Sequence, residues 1–283
     1  MRVQALSVGI QVPRHPFSGT VHSVFHQACN LWLEPDTLLT LLSCQKGNVP
    51  HGIRLDTSSH FDFLHTLRVG QSAACRGGIL RINGTECSFD LRPARPWHID
   101  LKGLHIDLKG LHIDLCRPTH AQSWAVAWSE LKLHHHKSGM SENLGAFFLS
   151  EGRPVTPAAS EILLQQGAYT IPSLLQTTCR LQLREAMISV QSLIGLGYGL
   201  TPSGDDFLVG YMAGLWCTAG ASLSRMQFLM ALGSELSQVS QNTNEISCAY
   251  LRSAAKGHVS ESIAKLAQRL TQANDMSNIR AAT

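Results

Sequence analysis

The sequence predicts an α+β protein, and three observations carry that prediction. Short β-compatible runs separated by turns fill the chain up to about residue 91, helical apolar spacing takes over from about Ala121, and an Asn-Gly pair sits between two strand-like runs. The implied organisation is a mainly antiparallel β domain over 1–120 followed by a mainly helical domain over 121–283. At roughly 150 residues per domain, a chain of 283 residues suggests two.

The strands are predicted at Val3–Val12, Gly19–Phe25, Leu38–Leu42, Gly52–Leu55, Gly77–Ile82 and Thr85–Leu91. Asn83-Gly84 tolerates the positive φ angles of a two-residue turn and predicts a hairpin there, in an antiparallel sheet or small barrel. In the helical half, Trp124, Trp128 and Leu131 share one face, and Thr156-Pro157 reads as a cap followed by a first-turn proline. Ser173–Ile194 is predicted as one long helix whose apolar positions include Leu174, Leu181, Met187, Val190 and Leu193. Two further helices are expected after Ser203 and after Ser224.

Between the halves lies a tandem duplication: His98–Leu104, His105–Leu111 and the partial copy His112–Leu115 repeat the heptad His-Ile-Asp-Leu-Lys-Gly-Leu. A seven-residue insertion would invert the facing of a period-2 strand, so the duplicated stretch 98–115 is expected to loop out or to extend a hairpin end. Two copies do not make a solenoid. Neither spacing nor a supporting shell marks the repeated His and Asp as metal ligands. The run His134-His135-His136 ends a predicted helix, where positive charge is favoured by the helix dipole.

Composition excludes several classes of function. With 44% hydrophobic and 15% charged residues the chain is too apolar for disorder, and a net charge of +3 leaves no footprint for nucleic acid. Eight cysteines without a Cys-x-x-Cys pair predict reduced, mostly buried thiols and a cytoplasmic protein. The start, Met1–Pro13, alternates polar and apolar residues without a small-residue cleavage site, which argues against a secretory signal. Phe207–Ser224 is uncharged, but its glycines and hydroxyl residues and the two acids directly before it predict a buried core helix rather than a membrane span.

The informative segment is Gly195-Leu196-Gly197-Tyr198-Gly199-Leu200-Thr201-Pro202-Ser203-Gly204-Asp205-Asp206. Alternate glycines permit unusual backbone angles and close approach by a ligand, Thr201 or Ser203 can cap the helix that Pro202 helps to start, and the backbone N–H groups of that start favour phosphate or carboxylate. Asp205 and Asp206 would repel a bare anion unless a proton or cation intervened. Three roles are open for them: a Ser-x-x-Asp capping box from Ser203 to Asp206, a base or orienter, or a divalent-metal pair. The segment lacks the Gly-Lys-Ser/Thr of a P-loop and does not follow a strand as a dinucleotide fingerprint does.

This stretch resembles the Gly-x-Gly-Pro-Gly-Leu-Thr-Pro-Ser-Gly-Asp-Asp signature of a bacterial family, departing from it at Tyr198. Ile246–Gly257, read as Ser247-x-x-Tyr250-Leu251-Arg252-x-Ala254-x-x-Gly257, is similar to that family's Ser-x-x-Tyr-Leu-Arg-x-Ala-x-x-Gly helix. The family is the AllH family of oxamate carbamoyltransferase subunits, and the likeness is weaker over the N-terminal sheet. The resemblance implies work with two partner subunits in anaerobic allantoin breakdown, a branch of purine catabolism. The implied reaction exchanges a carbamoyl group between oxalurate and phosphate, giving oxamate and carbamoyl phosphate. It also implies a second Gly-His-Thr-Ser-Gly-x-Asp type loop, which is not found before Thr283 and whose absence points to a truncated paired site.

On this reading Gly197, Gly199, Thr201, Ser203 and Gly204 bind a small anionic substrate, Asp205 and Asp206 are catalytic, and Arg252 neutralises substrate charge. Tyr250 is expected in the core with its hydroxyl at the rim. No cofactor and no resident metal are expected beyond a divalent ion at Asp205 and Asp206. A non-catalytic anion-binding assembly or regulatory subunit is the alternative, since no nucleophile–base pair adjoins the loop. A metal-dependent hydrolase using Asp205, Asp206 and His258 is a third.

Overall fold

In a computed structural model, residues 1–99, 101, 125–127, 129–130, 159–197, 199–219 and 222–271 are described. They form strands β1 (Arg2–Gly9), β2 (Phe17–Val24), β3 (Ala28–Leu33), β4 (Thr37–Leu42), β5 (Gly52–Leu55), β6 (Ser72–Arg76), β7 (Ile79–Ile82), β8 (Ser88–Asp90) and β9 (Arg95–Trp97), with a short helix α1 (Phe63–Thr66) between β5 and β6. Helices α2 (Ala159–Cys179), α3 (Leu183–Leu193), α4 (Ser203–Thr218), α5 (Leu223–Val239), α6 (Glu245–Ala255) and α7 (Glu261–Thr271) follow, with a 3-10 turn at Ser240–Asn242. The fold class is α+β, β-rich first and helical after. Two compact units result, one of Met1–Ile99 joined by Val259–Ser262 and the other formed by the remaining described residues.

The strands run in the order β5-β4-β3-β2-β6-β7-β8-β1-β9, and because β5 also pairs with β1 the sheet closes into a barrel. Most pairings are antiparallel, while β1–β8, β1–β9 and β4–β5 are parallel. Period-2 alternation explains the interior: Val3 and Ala5 of β1, Leu31 and Leu33 of β3, Leu39 and Leu41 of β4, and Leu80 and Ile82 of β7 are all buried in one core with Phe89. Along its parallel edge β1 divides its length between two partners, pairing with β8 over Arg2–Gln4 and with β9 over Ser7–Gly9.

The hairpin expected around Asn83-Gly84 forms, with β7 and β8 antiparallel on either side of it, but the two-residue turn lies one strand earlier. Arg76 pairs with Ile79 across Gly77 and Gly78, whose φ angles of 57° and 74° are those of a two-residue primed turn. The β7–β8 register instead runs Ile79↔Asp90 to Arg81↔Ser88, so Asn83-Gly84 lies in a wider loop, with Asn83 N–H donating to Ser72 O. Strands β3, β6 and β9 were not expected from the sequence. Asn30 interrupts the apolar run of β3, yet its side chain is satisfied inside the sheet by Thr40 Oγ1 at 2.8 Å and Ser23 Oγ at 2.9 Å.

The single helix predicted over Ser173–Ile194 is two helices. The α2 helix ends where Gln182 N–H bonds back to Thr177 O and Leu181 N–H to Thr178 O, with Leu181 at φ 56° in the left-handed position usually given to glycine. Helices beginning at Ser203 and just before Ser224 agree with expectation. No helix among the described residues is long and apolar enough to cross a membrane, and α4 buries Leu208, Met212 and Trp216 instead. Among the described residues the cysteines are free, and all but Cys44 and Cys179 are buried. The heptad copies beyond Leu101, the Trp124–Trp128–Leu131 face, the His134–His136 run, Thr156-Pro157 and the end at Thr283 fall outside the described residues.

His51 is buried next to β5, its carbonyl accepting from Thr40 N–H, and burial pushes its imidazole down from 6.5 to about 4. Unfolding restores the ordinary affinity for a proton, so the unfolded chain binds more protons between those values and stability falls as pH drops from 6.5 towards 4. The expected loss is on the order of 3 kcal/mol across that window. Urea unfolding at pH 7 and pH 4.5, in the native chain and in His51→Asn, checks this; an equal pH slope in both proteins would contradict it.

Candidate functional site

The Gly-rich segment joins the end of α3 to the start of α4 and is anchored from beneath by Asp205. That side chain is 1% exposed; its Oδ1 accepts from Gly195 N–H at 2.8 Å and its Oδ2 from the Thr243 hydroxyl at 2.6 Å. Thr243 precedes α6, whose first turn is capped by Asn244 Oδ1 accepting from Ile246 and Ser247 N–H. One buried carboxyl therefore ties the loop to the start of a helix distant in sequence. Ser247 Oγ reaches towards Leu200 O at 3.5 Å, the long end of the hydrogen-bond range.

The helix start differs from the sequence expectation. Pro202 occupies the cap position with no side-chain capping bond, so neither Thr201 nor Ser203 caps α4 and the Ser203–Asp206 box does not form. Gly204 N–H donates to Leu196 O at 2.8 Å, and Asp205 and Asp206 N–H both point to Pro202 O. These three donors are consumed within the chain rather than directed at a ligand, because the loop folds back over the helix start. Gly204 thus serves packing: a Cβ there would lie 2.0 Å from Leu193 O. Gly197, at φ 125°, lies against Ser203 N, while Gly199, at φ 97°, faces open space. Tyr198 lies outside the described residues.

Asp206 turns the other way. It sits on the exposed side, hydrogen-bonded to the Thr201 side chain and close enough to Tyr250 for its charge to be felt there. Partial desolvation raises the Asp206 pKa from its ordinary value, the Thr201 bond opposes the rise, and the charge of Asp205 adds to it. Tyr250 is raised as well, first by burial and then by Asp206. Thr201, Asp206 and Tyr250 are thus brought to one place, while Ser203 lies against Gly197. Thr243, which the sequence reading did not single out, completes the anchor; the Asn-Thr-Asn cluster ahead of Ile246 was the available signal for a helix start.

Arg252 is not brought to the loop. It lines a cleft of about 830 Å³ between α5 and α6, with Trp216, Gly233, Ser237 and Lys256. Tyr250 and Arg252 are two residues apart on one helix, so their side chains diverge by roughly 200°. The pair Asp205–Asp206 also gathers no metal-ligand set, since both Asp205 oxygens are taken and Asp206 points elsewhere. Among the described residues no group of three or more His, Cys, Asp or Glu is placed to hold a metal ion.

Comparison with known families gives two matches. Residues 193–283 match the family described as oxamate carbamoyltransferase subunit AllH, and residues 4–117 match the AllH family N-terminal domain. No curated protein and no solved structure matches the chain. The first match spans the Gly-rich loop, its Asp205 anchor and α6, the second the barrel strands, and together they cover most of the sequence. The chain belongs to the AllH family of oxamate carbamoyltransferase subunits.

Proposed function

We propose that this chain takes part in transferring a carbamoyl group between oxalurate and phosphate, giving oxamate and carbamoyl phosphate, with the Gly-rich loop as one wall of the reacting site. The observation that carries this reading is the divergence of two adjacent carboxyls: Asp205 holds the loop, while Asp206 lies on the open side with Thr201 and Tyr250 and a raised pKa. When a phosphate oxygen attacks the carbamoyl carbon of oxalurate, the C–N bond to the oxamate half breaks and the departing nitrogen needs a proton. A carboxyl that holds its proton more firmly than ordinary aspartic acid is suited to deliver it, and the proton released by hydrogen phosphate restores the acid.

The hydroxyl of Ser203 supplies a neutral donor to the substrate, Thr201 orients Asp206 through its hydrogen bond, and Gly199 lets its backbone approach closely. Because Arg252 lines another cleft and two acids flank the loop, the counter-charge for these anions comes from the partner subunits. The test is Asp206→Asn in the complex reconstituted with those subunits, measuring carbamoyl phosphate formed from oxalurate and phosphate. We expect kcat to fall by about 10²- to 10⁴-fold with assembly intact; unchanged turnover removes the proposed acid. The engaged N–H groups of residues 204–206 favour one second reading, a non-catalytic assembly subunit. Full activity of the partner subunits without this chain would select it.

A further inference from the structure

The barrel unit carries a cavity of its own, of about 610 Å³, formed entirely within residues 8–98 and independent of the loop just described. That volume falls within the range of small-molecule sites. Three segments build it: the end of β1 with the turn that follows, the Gly77-Gly78 turn, and the β8–β9 connection with β9 itself. Its walls are apolar, including Val8, Val12, Leu91 and Ala94, with the half-buried Trp97 among them. The pairing of Gly9 with Trp97 fixes one wall to another.

The charged groups of the lining are all basic. They are Arg14 and Arg92; the imidazoles of His15 and His98 also border the cavity, and no Asp or Glu lines it among the described residues. Arg92 is held rather than loose: its Nε and a terminal nitrogen reach Asp90 at 2.8 and 2.9 Å, and its stem lies over Gly78, where a Cβ would come within 2.6 Å of Arg92 Cγ. Arg2 donates to the same Asp90 at 2.6 Å, so two guanidiniums share one carboxyl and the cluster keeps a net positive charge. Nearby Arg14 is exposed and adds a second positive centre at the rim.

We propose that this cavity binds a planar organic anion, its flat body against Trp97 and the apolar wall and its carboxylate or phosphate at the basic rim. The apolar wall and the size set the body, and the one-signed rim sets the charge. The site is separate from the carbamoyl-transfer reading, so either can fail without the other.

The experiment is calorimetric titration of the full chain with nicotinate, orotate and uridine monophosphate, against nicotinamide and acetate as controls lacking the charge or the planar body. At least one planar anion is expected to saturate below about 1 mM, with nicotinamide and acetate at least tenfold weaker. Arg14→Gln removes an exposed charge and is expected to weaken binding about tenfold, while Ala94→Phe fills the cavity and is expected to abolish it; thermal melts of both confirm folding. Carboxylate and phosphate recognition are distinguished by which of orotate and uridine monophosphate is lost in Arg14→Gln. The proposal is overturned if no planar anion saturates by 10 mM, if nicotinamide binds as well as nicotinate, or if folded Arg14→Gln binds as the native chain does.

Discussion

Asp205→Ala is expected to destabilise the helical unit by about 3 kcal/mol, because it removes the acceptor for two donors at once. Gly195 N–H and the Thr243 hydroxyl both end on this 1%-exposed side chain, and no shift of an alanine methyl replaces either bond. Asp205→Asn keeps one oxygen, and the Thr243 hydroxyl can turn to accept from the new amide, so its loss is expected to be about 1 to 2 kcal/mol. Urea unfolding measures both, and hydrogen exchange at the Gly195 amide reports the loop directly. An Asp205→Ala protein that unfolds at the native urea concentration would show that the anchor carries no weight. Contrast with Asp206→Asn separates the two acids: the former acts on stability, the latter on turnover.

Gly204→Ala is expected to cost about 3 kcal/mol or more, since its Cβ would meet backbone rather than a movable side chain. The nearest atoms are Leu193 O at 2.0 Å and Leu196 Cβ at 2.9 Å, so the end of α3 and the start of α4 would have to part. The same substitution two turns along the helix has the opposite sign. A Cβ at Gly210 meets nothing within 4 Å, and Gly210→Ala is expected to stabilise by about 0.5 to 1 kcal/mol through helix propensity. Thermal melts of the two variants side by side check both; similar midpoints would contradict the close packing at Gly204.

Much of the architecture was legible because it rests on short-range pattern. Short β-compatible runs bounded by turns located β1, β2, β4 and β5, with Gly52–Leu55 recovered to the residue, and the helix start at Ser203 followed by an uncharged apolar run located α4. The strands that escaped have weak local signals. Ser72–Arg76 is built from small and polar residues and becomes β6 only by pairing with β2 and β7. Similarly, Leu181 continues an apolar helical period, yet the chain breaks there because two backbone bonds close the end of α2.

By itself the sequence determined the order of β and α regions, the buried character of most cysteines and the family-bearing motif from Gly195 to Asp206. Only the tertiary structure decided that the sheet closes through β1–β5, that Asp205 is an anchor reaching Thr243, and that Arg252 lines the cleft between α5 and α6. The reason is one of range: propensity and periodicity are summed over neighbouring residues, whereas a barrel seam, a buried carboxyl's partners and the facing of a helix side are set by groups that meet only when the chain has folded.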